Sequence, residues 1–224
     1  MNFSEKSHRP GKILIVDDHP VFCLGMSELI NKEHDLEVCG SRQNAADAMI
    51  AIGELKPDLV IVDISLENSN GIDLVEEIIC EYPQTHVLIV SMYDEILYAQ
   101  RALLSGARGY IMKQKAVEKV VDAIRKVMGG EIYASQEIKE AVFKQVLQPG
   151  KSNSKSPLST LTNRELEVFR LVGEGLSTKE IAERLHLSVK TIGTYRENIK
   201  DKLHLKHHTE LIKFAVHWSD QIKK

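Results

Sequence analysis

Three cysteines in 224 residues, Cys23, Cys39 and Cys80, lie far apart and without CxxC spacing. An odd, scattered set argues against a disulfide scaffold or a thiolate metal site and reads as small hydrophobes in a reducing compartment. Long apolar runs are missing too. No stretch approaches the roughly 20 residues a membrane-spanning helix needs, and the polar start from Met1 to Lys12 predicts no signal peptide. The expected location is the cytoplasm. Internal repeats and long low-complexity tracts are absent as well. What remains is ordinary globular composition, 43% hydrophobic and 27% charged, in a length that accommodates one large domain or two modest ones.

Charge gives the first positive signal. Residues 1–150 carry 15 Lys and Arg against 23 Asp and Glu, while residues 151–224 carry 14 against 9. An acidic front and a basic back fit a phosphate- or metal-handling module joined to one that touches a polyanion. Two solvated surfaces of opposite sign give the same count. The division falls at residues 148–157, QPGKSNSKSP, a stretch too rich in Pro, Gly, Ser and Lys to bury apolar surface and therefore a flexible tether. Just before it, Ile138, Val142 and Val146 space a connector helix within residues 135–147.

The front half alternates in type. Short apolar runs at residues 13–16, 36–39, 59–62, 87–90 and 110–112 predict five strands, apolar on both faces where strongest, as covered strands are. Helical patterns lie between and after them, the clearest being the stripe Val117, Val120, Val121, Ile124, Val127 and Met128. Strands alternating with helices over about 120 residues predict an α/β fold with a doubly wound parallel sheet.

The chemistry follows the strands. Residues 13–16 run into Asp17 and Asp18, 59–62 into Asp63, 87–90 into Ser91, and 110–112 into Lys113. Open α/β sheets bind ligands outside the carboxyl ends of their strands, so one edge is expected to collect three carboxylates, a hydroxyl and an ammonium. Clustered carboxylates repel one another without a cation, and hard oxygen ligands suit Mg²⁺. With the metal and Lys113 neutralising phosphoryl oxygens, Asp63 could act as nucleophile and form an acyl phosphate. Any one Asp or Ser after a strand is as readily a turn or helix cap; four compatible strand ends are much harder to obtain by chance.

These motifs carry a resemblance. ILIVDD at residues 13–18, PDLVIVDI at 57–64, Asn70-Gly71 and GARGYIMK at 106–113 resemble the receiver domain of bacterial response regulators, across residues 12–132. The resemblance implies a flavodoxin-like five-stranded receiver with Asp63 as phosphoacceptor. It implies Mg²⁺ held by Asp18, Asp63 and the Ser65 carbonyl, with Asp17 acting through water. Ser91 and Tyr110 match its hydroxyl and aromatic switch positions, and Lys113 its phosphoryl-pairing lysine. Ser65 and Tyr93 flank the implied approach of water. One departure is Glu67, where receivers usually carry Pro; another is Gln114, where many carry Pro after the lysine.

The basic tail has legible helix starts. Thr162-Asn-Arg-Glu165 and Ser177-Thr-Lys-Glu180 fit the capping box, and Ser188 is a third cap. Helices are predicted near 163–172, 178–186, 189–203 and 209–219, the second and third joined by a short turn as in a helix-turn-helix. On the third, Val189, Ile192, Ile199 and Leu203 are expected in the core. Lys190, Thr191, Thr194, Arg196 and Lys200 are left for phosphates and base edges, with Tyr195 also in reach. LTNRELEV at 161–168, KEIAERL at 179–185 and SVKTI at 188–192 resemble the LuxR-type helix-turn-helix, across residues 158–212. That resemblance implies DNA contacts from Thr178, Lys179, Ser188, Lys190, Thr191, Thr194, Tyr195, Arg196 and Lys200. Gly193 stands where many members carry Lys, and Tyr195 where His is frequent. His204, His207 and His208, without cysteine nearby, read as exposed polar residues, and Phe214 and Trp218 as core or dimer contacts.

Both modules in this order define the NarL/FixJ class of response regulators. The expected organisation is a receiver at 12–132, a connector helix and flexible linker at 133–157, and an all-α helix-turn-helix domain of four helices at 158–224. The implied function is transcriptional regulation through Mg²⁺-dependent phosphorylation of Asp63 by a sensor histidine kinase. Double-stranded DNA and a second copy of the chain are the implied partners, and no membrane is involved. The receiver assists only its own phosphorylation and dephosphorylation. Two rivals differ from this: a phosphorylation-independent regulator with a vestigial receiver, and an aspartate-nucleophile phosphatase. The phosphatase typically shows DxD after its first strand, where this chain has adjacent Asp17 and Asp18.

Overall fold

The computed structural model describes residues 9–67, 69–93, 95–147 and 157–222. It divides into two units, residues 1–148 and 149–224. The tether expected at 148–157 lies, but for Pro157, outside the described residues.

In the first unit β1 (Gly11–Val16), β2 (Leu36–Arg42), β3 (Leu59–Val62), β6 (His86–Ser91) and β7 (Gly109–Met112) form one parallel sheet in the order β2-β1-β3-β6-β7. The three inner strands are the apolar ones, because only they are covered on both faces and flanked on both edges. Edge strand β2 is half-buried and runs three residues beyond the apolar segment at 36–39. A register shift opposite Ile13 and Leu14 takes up one extra residue there. A two-residue ribbon, β4 (Ser65–Leu66) with β5 (Ser69–Asn70), follows β3 and was not expected from the sequence.

Side-chain alternation sends Ile13, Ile15, Leu59, Ile61, Leu88, Val90 and Ile111 to one face. There they meet Cys23, Met26 and Ile30 of α1 (Pro20–Ile30), and Ala116, Val120, Ala123, Ile124 and Val127 of α5 (Lys113–Met128). Each fully buried side chain of Val, Leu or Ile size stabilises by about 1.5–3 kcal/mol. The α5 stripe differs from expectation at one position. Val117 is 69% exposed, because the helix begins at Lys113 and its buried row runs through Ala116 and Val120. The remaining helices are α2 (Ala45–Leu55), α3 (Gly71–Glu81) and α4 (Glu95–Leu104). The connector helix is α6 (Gln136–Leu147); it packs on α4 and buries Ile138, while Val146 is exposed. Tyr133, bridged to Gly109 beside β7, ties this segment to the sheet.

The second unit is helical: α7 (Asn163–Gly173), α8 (Thr178–Arg184), α9 (Val189–Lys202) and α10 (His208–Ile222). Thr162 and Ser177 close capping boxes with Glu165 and Glu180, and Ser188 caps α9 through the Thr191 amide. Glu165 does two jobs, since its carboxylate also meets Lys202 Nζ at 2.6 Å and pins the end of α9 to the start of α7. Phe214 and Trp218 of α10 pack on buried Phe169, with ring centroids 5.7 Å apart in both cases. They serve the core.

Candidate phosphoacceptor site and helix-turn-helix surface

The parallel register of β1, β3, β6 and β7 ends these strands side by side, and the sequence after each strand decides what stands at that edge. Asp63, directly after β3, is 3% exposed. Its Oδ1 accepts from the Ile64 amide at 2.7 Å and its Oδ2 from Lys113 Nζ at 2.7 Å. Lys113 also lies 2.6 Å from Asp17 Oδ2, so one ammonium bridges two carboxylates. Its position 4.4 Å from the Phe22 ring centroid adds a cation–π contact. Asp17 Oδ1 accepts from the His19 amide at 2.9 Å, which satisfies a donor at the start of α1. Asp18 is more open, and its Oδ1 lies 2.6 Å from His19 Nδ1.

Three carboxylates share one ammonium, and burial decides the outcome. Desolvation pushes Asp63 up to about 6, with Lys113 opposing and Asp17 adding to the rise. Desolvation also raises Asp18, again aided by Asp17. Burial works against the Lys113 ammonium, but Asp63 and Asp17 outweigh it and raise that group above the ordinary lysine range. An excess of negative charge of this kind is one that a cation would relieve. Carboxylate oxygens of Asp17, Asp18 and Asp63 and a ring nitrogen of His19 all lie within 4.8 Å of one another. Asp17 Oδ2 and Asp18 Oδ1 are closed off from solvent without a hydrogen bond of proper geometry, facing Lys113 Nζ and His19 Nδ1 respectively. The carboxylate oxygens of that set fit Mg²⁺.

Ser91, Tyr93, Tyr110 and Ser65 form one chain of contacts. Ser91 is buried and accepts from the Tyr93 amide at 3.3 Å. Tyr110, 2% exposed, donates its hydroxyl to the Tyr93 carbonyl at 2.9 Å. The Tyr93 hydroxyl pairs with that of Ser65, and its ring lies 4.8 Å from that of Tyr98. Tyr93 therefore links Ser65, Ser91 and Tyr110, where the resemblance implied only that it and Ser65 flank the approach of water. Gly71 is the other unobvious member. A Cβ there would lie 1.9 Å from the Asp63 carbonyl oxygen, so only glycine lets α3 start against the Asp63 loop. Asn70 caps that start through the Ile72 amide.

In the second unit Ser188, Lys190 and Thr194 are exposed, as is Lys179 on α8. Thr191, Tyr195 and Lys200 are half-buried, Lys200 paired with Glu197 at 2.7 Å. Two expectations are corrected. Val189, expected in the core, is 53% exposed because it projects from the first turn of α9. Arg196, expected outside, is 9% exposed and donates to Thr178 Oγ1 at 2.8 Å. Arg196 lies four residues after Ile192 and three before Ile199, so it shares their buried stripe and ties α9 to α8.

The fold and the site define a class, a parallel sheet with an acidic carboxyl edge and a buried lysine, followed by a helix-turn-helix unit. The model of the response regulator receiver domain matches residues 13–125, and that of bacterial regulatory proteins of the luxR family matches residues 159–215. The chain belongs to the two-component response regulators and carries a LuxR-type helix-turn-helix DNA-binding domain. It is 34% identical over 209 residues to the oxygen regulatory protein NreC of Staphylococcus aureus, an alignment covering 92% of this chain and 96% of that protein. Among solved structures, RcsB of Salmonella typhimurium shares the fold with a TM-score of 0.64 at 21% identity, over 93% of this chain and 98% of that one. RcsB of Salmonella enterica serovar Typhimurium, bound to promoter P1flhDC with the phosphomimetic BeF3⁻, gives 0.61 at 22%, over 92% and 98%.

Proposed function

We propose that this transcriptional response regulator is switched by phosphorylation of Asp63 in the cytoplasm, with a sensor histidine kinase as donor and double-stranded DNA as target. The observation that carries the reading is Asp63 Oδ2 held on Lys113 at the carboxyl edge of the central strand, beside Asp17 and Asp18. The Asp63 carboxylate attacks phosphorus in line with the donor nitrogen. A C–O–P acyl phosphate forms as the P–N bond of the phosphohistidine breaks, and the electron pair leaves on the imidazole. Asp18 and Asp63 would hold Mg²⁺ with the Ser65 carbonyl, and Asp17 would act through water. The metal, when bound, supplies charge neutralisation for the phosphoryl oxygens.

Lys113 then exchanges a carboxylate partner for a phosphoryl oxygen, and Ser91 donates its hydroxyl to another. Because Ser91 and Tyr110 both hold Tyr93, moving the Ser91 hydroxyl repositions the Tyr93 backbone and the Tyr110 ring with it. The resulting surface change favours pairing with a second copy and binding to a two-fold DNA site. We assign the receiver to residues 12–132, the connector and linker to 133–157 and the DNA-binding domain to 158–224. Lys179, Lys190, Thr194 and Ser188 have the exposure needed for direct DNA contact, and Thr191, Tyr195 and Lys200 flank them. Thr178 and Arg196 take part through their mutual bond, which sets the angle of α9. The receiver serves its own phosphorylation and dephosphorylation and no external substrate.

The test is labelling of the full chain with isotopic acetyl phosphate and Mg²⁺, followed by binding to genomic DNA fragments. An acid-stable, base-labile label should appear on the wild type and be absent from Asp63→Asn. Label surviving in that variant refutes the assignment, and DNA binding indifferent to the phosphodonor favours a vestigial receiver.

A further inference from the structure

His19 follows the two acidic residues after β1, and its Nδ1 faces back onto them although the side chain is largely exposed. Its Nδ1 lies 2.6 Å from Asp18 Oδ1 and 3.1 Å from Asp17 Oδ1, and it joins Asp63 in the one donor cluster found among the described residues. The ring makes no capping bond to α1, although His19 stands at that helix's N-cap. We infer that His19 is a nitrogen ligand of the cation site, which would make the site prefer Mn²⁺ and heavier first-row divalent ions over Mg²⁺.

The inference rests on the cation reading above and deepens it. An octahedral ion with ligands at about 2.1 Å places neighbouring donors about 3 Å apart and opposite ones about 4 Å apart. The 3.1 Å contact of His19 with Asp17 matches the neighbouring distance, the 2.6 Å contact with Asp18 would have to lengthen to admit an ion, and the whole cluster is spread over at most 4.8 Å. Any ion taken up between Asp17 and Asp18 must displace this imidazole or bind it. Mg²⁺ has little use for a neutral imidazole nitrogen, whereas the later first-row ions gain from one. The ring's 63% exposed side chain gives it room to move onto the ion and leaves it outside the packed core.

The test uses the full chain, Mn²⁺ and Mg²⁺ titrations by calorimetry, and pulsed electron paramagnetic resonance of bound Mn²⁺. The wild type should show nitrogen modulation from a directly bound imidazole. His19→Ala and His19→Asn, the second placing a good capping residue at the start of α1, should lose that modulation. Their ratio of Mn²⁺ to Mg²⁺ affinity should fall about tenfold or more. Absent modulation in the wild type, or an unchanged ratio, overturns the inference while leaving the cation site intact. Equal weakening of both ions overturns it too, because His19 would then only position the carboxylates. Equal tightening does the same, because the ring would then be a competitor. Failure of the wild type to bind either ion refutes the cation reading itself.

Discussion

Replacing Asp63 by Asn should stabilise the receiver in metal-free buffer at neutral pH, although it removes a buried ion pair. Asp63 sits in the fold with its carboxyl pushed up to about 6 from an ordinary value of 3.8. A raised carboxylate value means the folded state holds the proton more tightly than the unfolded chain. The charged form is therefore penalised on folding by about 3 kcal/mol at pH 7, two units at about 1.4 kcal/mol each. The penalty is absent below about pH 4, grows as pH rises, and is complete above about 6. Asn removes it but leaves Lys113 with Asp17 alone, which takes back part of the gain. The expected benefit is about 1–3 kcal/mol, since removing one partner of a buried pair always costs something. Amide exchange of β3, at Val60 to Val62, reads the receiver without interference from the second unit. Slower exchange in Asp63→Asn at pH 7, a difference vanishing near pH 4, and its narrowing on adding Mg²⁺ are the expected outcomes. A variant less stable than wild type at pH 7 without metal would show that the Lys113 pair outweighs desolvation and would refute the charge reasoning.

Three further outcomes follow from the geometry. Gly71→Ala places a methyl group on the Asp63 backbone and should destabilise the receiver by about 3–5 kcal/mol, read as a fall in urea midpoint. Thr178→Val strips the buried Arg196 guanidinium of its partner and should destabilise the second unit by about 1–3 kcal/mol, followed by the fluorescence of Trp218. Gly193→Ala meets no atom within 4 Å and should stabilise α9 by about 1 kcal/mol, while Gly193→Lys should tighten DNA binding and steepen its salt dependence by about one phosphate. A Gly193→Ala protein that folds more stably yet loses DNA affinity would show that the helix must come closer to the DNA backbone than a methyl group allows.

The strand ends were legible because their signal is local. An apolar run followed by Asp, Ser or Lys needs only the parallel sheet to become a site, and the sheet is written in the same runs. The helix caps were legible for the same reason, each being a bond between residues three apart. The misses were non-local. Tyr93 acquires its role from Ser65, 28 residues earlier, and from Tyr110, 17 residues later. The pairing with Ser65 came only through the family resemblance, and the bond to Tyr110 leaves no mark in the nearby sequence. Gly71 is explained only by the backbone of Asp63, eight positions away across a ribbon too short to register as strands.

Arg196 is different, because its burial was available in the spacing and was overridden by its charge. The stripe Ile192, Arg196, Ile199 has the period of a buried face, and a guanidinium enters such a face only with a partner waiting. Thr178 is that partner, and it stands at the first position of the neighbouring helix, where its hydroxyl is free for a side-chain bond because Ser177 already caps the amides. The arrangement couples the two helices through a polar bond instead of apolar contact alone. Directional bonds fix an angle more sharply than methyl groups do, and an angle between α8 and α9 is what a helix presented to a groove requires. The residue expected on the outer face thus lies one step behind the surface, bonded to α8 beneath the exposed side chains of α9.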